Sequence, residues 1–584
     1  MRCIIYIVIL TMSALSLAQT PQILKLTGYP HVAINAMVQD GQGNFYVTGG
    51  FSQTADFGGR QVTSDDTSSG AFRFFAAKYD KSGTLIWLHT ETGVPDYNAP
   101  NPIADQGGSI VLDKAGNVYI AGEFESIRFT LDGTVLTNAD QKNNTQDILL
   151  VKYSPAGDML WGKRFGGTDN DELAIVLGPD GKLYAAGSSA SPSLSFSQIT
   201  LTGNHTNDAA PLLATFDTSG TAIWATIFPA RIESALDSTT GGDDKFVSLA
   251  LDSSGTMYVA GELAADSSQI GDSLIVQTQK YFHTIIFAKF TANDGHLIWE
   301  EHSNGAPDLG LTQSVVVDKN NNPVFCSGFT GAVLNIAGVT LQNPNPRGAT
   351  AIGIIKCNPS GHALWGKILA ESGGADTTGG IVSTALACSP GNDLYISGLG
   401  YGGNPFVYNG GPLPLSNAAI NIFLLKVNTN GDFNWLLDGT FNGEGLGTTI
   451  LFDHDNSIYY AGYYGTFGRE LRFGNDSLPT ENAITSFNMH LKETSGLVHQ
   501  EDLGTSASIA YPNPAIRSTM IELPQNSGPA QVLIFDALGR KIESIDGKNT
   551  NPVSIPCENL PKGVYYYRVI MDIQSIASGK FVVE

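Results

Sequence analysis

The chain is poor in charge, in cysteine and in long apolar runs. Charged residues are 15% of 584, against about 25% in an average soluble protein, which disfavours long solvent-facing helices and excludes coiled coils. Five cysteines are too few for a disulfide framework at this length, and no CxxC pair offers a zinc site. Lysine plus arginine number 32 against 55 aspartate plus glutamate, a net charge of −23. That balance argues against nucleic acid and anionic membranes as partners. Nowhere does an apolar stretch reach the ~20 residues of a membrane-spanning helix, so no transmembrane segment is expected. Glycine is abundant, at 66 residues, beside 21 tyrosines and 28 phenylalanines. Many strands joined by tight turns fit that composition.

Residues 1–20 read as a secretory signal. Arg2 precedes a mostly apolar run at 3–17, and Ser16 and Ala18 place small residues at −3 and −1 of a cut between Ala18 and Gln19. The apolar run is too short to cross ~30 Å of hydrocarbon. Cleavage leaves Cys326, Cys357, Cys388 and Cys557. The first two fall on neighbouring expected strands, where one bridge competes with buried free thiols.

The rest of the chain is periodic. Trp87, Trp161, Trp224, Trp299, Trp365 and Trp435 each stand four residues after a glycine: Gly83, Gly157, Gly220, Gly295, Gly361 and Gly431. Gly496 continues the series, with Gln500 in the tryptophan position. In phase with it runs aromatic-x-x-Gly, seven times, from Tyr46/Gly49 to Tyr459/Gly462. Three residues before each aromatic is Gly or Asn, the types that accept positive φ in a hairpin turn. Each unit resolves into four short strands, A to D; in the second these are 109–113, 118–122, 148–153 and 159–165. Four short strands cannot bury both faces of their sheet alone, so neighbouring sheets must stack. Radial stacking of seven sheets gives a propeller. A spare strand at 22–28 aligns with 87–93 and competes with 497–503 to complete the last sheet.

Segments such as VLDKAGNVYIAGEF (111–124) and ILLVKYSPAGDMLWGKRFGG (148–167) resemble bacterial β-propeller repeats over roughly residues 29–503. The Gly-x-x-x-Trp element is also similar to the tryptophan-docking repeats of quinoprotein propellers. That resemblance implies that all six tryptophans pack between blades. The vicinal cysteine pair that commonly accompanies a quinone there is missing, so no cofactor is expected.

Strand parity puts the short A–B and C–D turns at one end and the long B–C and D–A connections at the other. Binding is therefore expected on the loop-rich mouth, with selectivity in the D–A connections 93–106, 229–245 and 371–380. The recurring B–C insertions at 56–63, 128–137, 335–342 and 472–480 read as added hairpins. Tyr97, Tyr281, Tyr401 and Tyr464 are candidates for a carbohydrate platform, with strand packing as their ordinary role. Aspartates at the A–B turns, Asp40, Asp113, Asp252 and Asp453, read as Asx turns rather than calcium loops. No spacing nominates a catalytic or metal-binding residue.

After Gly504 the rhythm stops. Tyr511-Pro512-Asn513-Pro514, a strand at 532–536 ending in Asp536 and followed by Gly539, and Leu560 to Gly563 and Tyr565 closely resemble the type A C-terminal sorting domain of the type IX secretion system. The resemblance implies Sec export, passage across a Gram-negative outer membrane, and the secretion machinery and its sortase as partners. The whole reads as all-β: signal peptide 1–18, seven-bladed β-propeller of four-stranded blades 19–503, linker 504–510, and a small immunoglobulin-like β-sandwich 511–584. The function expected is a non-catalytic binding or adhesion module for a glycan or protein ligand, delivered to the cell surface or medium. A secreted polysaccharide-active enzyme and a purely structural surface protein are the alternatives.

Overall fold

The computed structural model describes residues 17–21, 26–29, 31–64, 71–92, 104–142, 145–203, 209–231, 244–276, 283–303, 313–345, 349–372, 379–401, 406–413, 420–441, 443–453, 456–466, 471–473, 476–478, 484–493, 510–521, 531–535, 541–546, 552–558, 560–571 and 574–583. Every element among them is a β-strand, and no helix there could cross a membrane. The chain divides into two compact units: Ala18–Glu493, and Thr494–Glu584 together with Met1–Leu17.

In the first unit each of the first six repeats forms a four-stranded antiparallel meander, and the seventh supplies three strands of a seventh sheet. The second sheet is typical: Gln106–Leu112, Val118–Phe124, Asp147–Tyr153 and Met159–Phe165 pair in that order. Strands B and C are buried on both faces, as Val118–Phe124 and Asp147–Tyr153 show, because neighbouring sheets cover them. Seven such sheets occur among the described residues. Their A strands begin at Val32, Gln106, Asp171, Lys245, Gln313, Gly380 and Gly443. Each A strand touches the next, and the first also touches the last.

Hydrogen bonds cross between consecutive A strands. The Asn35 amide donates to the Gly107 carbonyl at 3.0 Å, the Ile175 N–H to Ser109 Oγ at 3.0 Å, and the Val315 N–H to Ser248 Oγ at 3.1 Å. Thr384 Oγ1 donates to the Gly447 carbonyl, and Thr448 Oγ1 to the Ile34 carbonyl at 2.7 Å, joining last sheet to first. Asn35, Thr384 and Thr448 are the extra residues of β-bulges, which turn a side chain out of its own ladder.

The last sheet is completed from the N-terminus, by Leu17–Pro21 beside Ile484–Glu493. The expected register is shifted: of the segment aligned at 22–28, residues 22–25 lie outside the described residues, and Leu26–Tyr29 instead pairs with Thr54–Phe57. The competing segment 497–503 and linker residues 504–509 also lie outside them, while Ala510, expected in the linker, opens a strand of the second unit.

Each B–C connection carries a hairpin, such as Arg128–Leu131 with Thr134–Thr137. Several hairpins pair with the D strand of the preceding sheet: Phe406–Tyr408 with Ala363–Glu371, and Leu471–Phe473 with Phe433–Phe441. Unpaired outer edges are thereby covered. The hairpin at 193–202, which the sequence pattern did not single out, is of the same kind.

The second unit has a three-stranded sheet (Ala510–Tyr511, Ser518–Ile521, Val553–Pro556) and a four-stranded one (Lys541–Asp546, Gln531–Phe535, Gly563–Met571, Gln574–Val583). They share one core that includes Ile521, Ile534, Tyr567 and Phe581. The strand Val553–Pro556 was not read from the sequence.

Candidate functional site

At the short-turn end the aspartates are occupied by their own turns. Asp40 Oδ1 accepts the Gln42 and Asn44 amides at 2.9 Å each, and Tyr46 Oη donates to Oδ2 at 3.2 Å. Asp113 repeats this with Ala115, Asn117 and Tyr119. Burial pushes both carboxyls up, but these hydrogen bonds outweigh it and hold them below the usual range. Their stabilisation is therefore present above about pH 4 and is lost as pH falls further. Acid unfolding of Asp113→Asn is expected to be less steep than that of the unaltered protein.

In the first, fourth and fifth repeats a lysine and a tryptophan converge on one carbonyl of the next sheet. Lys78 Nζ lies 4.7 Å from the centre of the Tyr46 ring and donates to the Pro155 carbonyl at 3.1 Å, which also accepts from Trp87 Nε1 at 3.4 Å. Lys289 and Trp299 share the Pro359 carbonyl, and Lys356 and Trp365 that of Thr429. Trp224 donates to Ala292. A Cβ on Gly157 would come within 2.9 Å of Trp87, and one on Gly220 within 2.7 Å of Trp161, so the turn glycine makes room for the preceding indole. Trp435 is buried beside Tyr395.

A cavity of about 630 Å³ opens where the A strands of the third to seventh sheets end. Its walls are chiefly aliphatic, including Leu249, Val315, Leu386 and Ile450, with Phe452 and with Lys319 among the polar lining groups. It lies at the short-turn end, opposite the loop-rich mouth favoured by the sequence. Of that mouth, residues 93–103, 232–243 and 373–378 lie outside the described residues, as do Tyr97 and Tyr281. Tyr464 is buried rather than available as a platform, and Tyr401 is half-buried.

A recurrent feature of the loop-rich end went unread. Asp105, Asp171 and Asp244, fully buried, stand at the start of their A strands. Asp105 Oδ1 accepts the Glu125 and Ser126 amides; Asp244 Oδ1 accepts those of Ala264 and Ala265. Each thus ties down the start of its sheet's B–C connection. The repeat spacing of these aspartates was the available signal. Burial raises Asp244 to about 6 against its hydrogen bonds. Among the described residues no group of three His, Cys, Asp or Glu side chains could hold a metal ion. Cys326, Cys357 and Cys557 are free and buried; Cys388, also free, is half-buried beside the cavity.

In the tail, Asn513 Oδ1 accepts the Val582 N–H at 2.8 Å and the Ala515 N–H donates back to the Val582 carbonyl at 2.7 Å. The Tyr-Pro-Asn-Pro motif thereby fastens the first strand region to the last. Tyr565 Oη donates to the Pro561 carbonyl at 2.7 Å, within the Leu560–Gly563 motif, and its ring stacks on Phe581. Asp536 and Gly539 lie outside the described residues.

The chain is 28% identical over 177 residues to an uncharacterized WD repeat-containing protein, L264, of Acanthamoeba polyphaga mimivirus, covering 27% of this chain and 12% of that protein. It is 27% identical over 160 residues to the regulatory protein FlaEY of Caulobacter vibrioides, covering 27% and 16%. It thus spans less than a fifth of either relative. Among solved structures, a europium-containing methanol dehydrogenase overlays with a TM-score of 0.38 at 9% identity, covering 77% of this chain and 85% of that one. The GH43 protein BlXynB from Bacillus licheniformis, as a mutant, does so at 0.25 and 11%, covering 81% and 96%. Residues 509–584 match the secretion system C-terminal sorting domain family. The chain therefore ends in a type IX sorting domain, which implies export to the cell surface or medium.

Proposed function

We propose that the protein is an exported, non-catalytic binding module: a closed seven-bladed β-propeller at 19–503, carried out of the cell by an immunoglobulin-like sandwich at 511–584 after signal removal between Ala18 and Gln19. The six tryptophans act as its blade-packing residues. The observation that carries the binding reading is the cavity of about 630 Å³ at the converging A strands, a volume within the usual range of ligand sites. Its aliphatic walls suit an apolar group, such as a protein side chain, better than a sugar, which stacks on aromatic faces.

The test is a glycan array and a protein-binding screen with the secreted protein, beside Leu249→Lys and Ile450→Lys variants. Capture of a protein ligand, weakened tenfold or more by either lysine, is the expected result. Binding unaffected by both variants would move the site to the loop-rich mouth, and turnover of a polysaccharide would favour an enzyme. Removal of residues 511–584 is expected to leave the protein in the periplasm, read by fractionation.

A further inference from the structure

Two consecutive sheet junctions bury a carboxyl pair beside a single arginine. Between the first and second sheets, Glu91 follows strand D and Asp105 precedes the next strand A, with 1% and 0% of their side chains exposed. Arg73 Nη1 lies 2.5 Å from Glu91 Oε1 and 4.0 Å from Asp105 Oδ2. Between the second and third sheets, Asp147 opens strand C, Asp171 opens the next strand A, and Arg164 Nη1 lies 3.0 Å from Asp147 Oδ2.

In each pair one carboxyl oxygen is buried with no hydrogen-bond partner: Glu91 Oε2 and Asp147 Oδ1. A carboxylate oxygen can only accept, and leaving it unpaired in the interior is costly. Around Gly166 the orphan has a clear direction. A Cβ placed there would lie 2.6 Å from Asp147 Oδ1 and 2.7 Å from Asp171 Oδ2, so both oxygens face the same small space. Two ionised carboxylates and one guanidinium also leave a net buried charge of one, which the low-dielectric interior disfavours.

We propose that each pair, Glu91–Asp105 and Asp147–Asp171, keeps one proton at neutral pH, and that this shared proton latches consecutive sheets together. The proton resides on the orphan oxygen. Glu91 Oε2–H then donates to Asp105, and Asp147 Oδ1–H points toward Asp171 Oδ2. The orphan acceptor becomes a donor and the cluster becomes neutral. At the fifth sheet an amide provides a similar donor without a proton: Asn345 Nδ2 donates to the buried Glu371 at 2.9 Å.

The surroundings favour retention. Burial raises Glu91 well above its ordinary value, helped by Asp105 and opposed by Arg73. Burial likewise raises Asp147 to about 7, with Arg164 pulling it back and Asp171 adding to it; burial also raises Asp171 to about 6, against its hydrogen bonds from Ser189, Gly167 and Ser191 and with a small addition from Asp169. Glu123 and Glu125 add negative charge near Asp105. Groups raised on folding stabilise most at low pH, and the contribution declines as pH climbs from about 4 through the folded values.

The test is thermal melting of the secreted protein and of Glu91→Gln and Asp147→Asn variants at about pH 5 and about pH 8.5. Because Asp244 contributes a decline of the same sign, the variant is compared with the unaltered protein at each pH. Each neutral amide is expected to flatten the decline, so that its melting temperature relative to the unaltered protein rises by a few degrees between the two pH values. A relative melting temperature that does not change with pH overturns the latch. Infrared spectroscopy covers the case where a variant does not fold. A protonated-carboxyl band is expected in the unaltered protein at neutral pH, and its absence is equally fatal.

Discussion

Gly187→Ala is expected to destabilise the protein by more than about 4 kcal/mol, the range reserved for severe backbone clashes. Gly162→Ala, inside strand D of the second sheet, is expected to change stability by less than about 1 kcal/mol. In the third sheet an added Cβ at Gly187 would sit 1.9 Å from the Glu172 carbonyl oxygen and 3.0 Å from the Leu173 Cα. Both are backbone atoms of strand A and cannot swing aside. At Gly49, Gly122, Gly261, Gly398 and Gly462 the same approach lies between 2.0 and 2.3 Å. Gly162 is different: its Cβ would sit 3.5 Å from Val151 Cγ1 and 3.7 Å from Thr134 Cγ2, ordinary van der Waals separations from side chains rather than backbone. Denaturant unfolding of the two variants side by side gives the contrast. Equal losses would show that the aromatic-x-x-Gly signature has another cause.

The second large effect is expected at the junction of first and last sheets. Deleting residues 19–29 removes most of Leu17–Pro21, the fourth strand beside Ile484–Glu493, and all of Leu26–Tyr29, the partner of Thr54–Phe57. A handful of ladder hydrogen bonds at about 1 kcal/mol each puts the loss at roughly 5 kcal/mol. The freed edge also invites pairing between chains. Calorimetry is expected to show a lower, broader transition with concentration-dependent aggregation. The Thr448 and Ser486 bonds to the first strand A remain in the shortened chain, so its first and last sheets still have a reason to meet. A melting curve unchanged by the deletion would remove the N-terminal strand from the architecture.

The repeat was legible because its chemistry is local. A turn that needs positive φ selects Gly or Asn: Gly43, Gly116 and Asn392 all adopt it, whatever the rest of the chain does. Strands B and C, covered on both faces, read as apolar runs. The sorting motif was legible for a similar reason, since Asn513 and Tyr565 each bond the backbone of their own small unit. What the pattern could not convey was which residues meet across sheets. The pairing of Glu91 with Asp105, or of Asp147 with Asp171, depends on the stacking of separate repeats, and carboxylates are too common to stand out singly. The cavity escaped for the same reason. Leu249, Val315 and Ile450 are ordinary strand residues, and they form a wall only when the ends of five A strands converge. The register of the closing strand slipped because a short segment without a turn signal can pair several ways.

Closure of the sheets onto one another is most directly tested by the distance between spin labels on A–B turns. Labels at Gln42 and Ala115 report neighbouring sheets, the first and second; labels at Gln42 and Asn456 report the first and the seventh. A closed circuit predicts similar short distances for both pairs. A Gln42–Asn456 distance several times longer than Gln42–Ala115 would mean an open stack and would contradict the account.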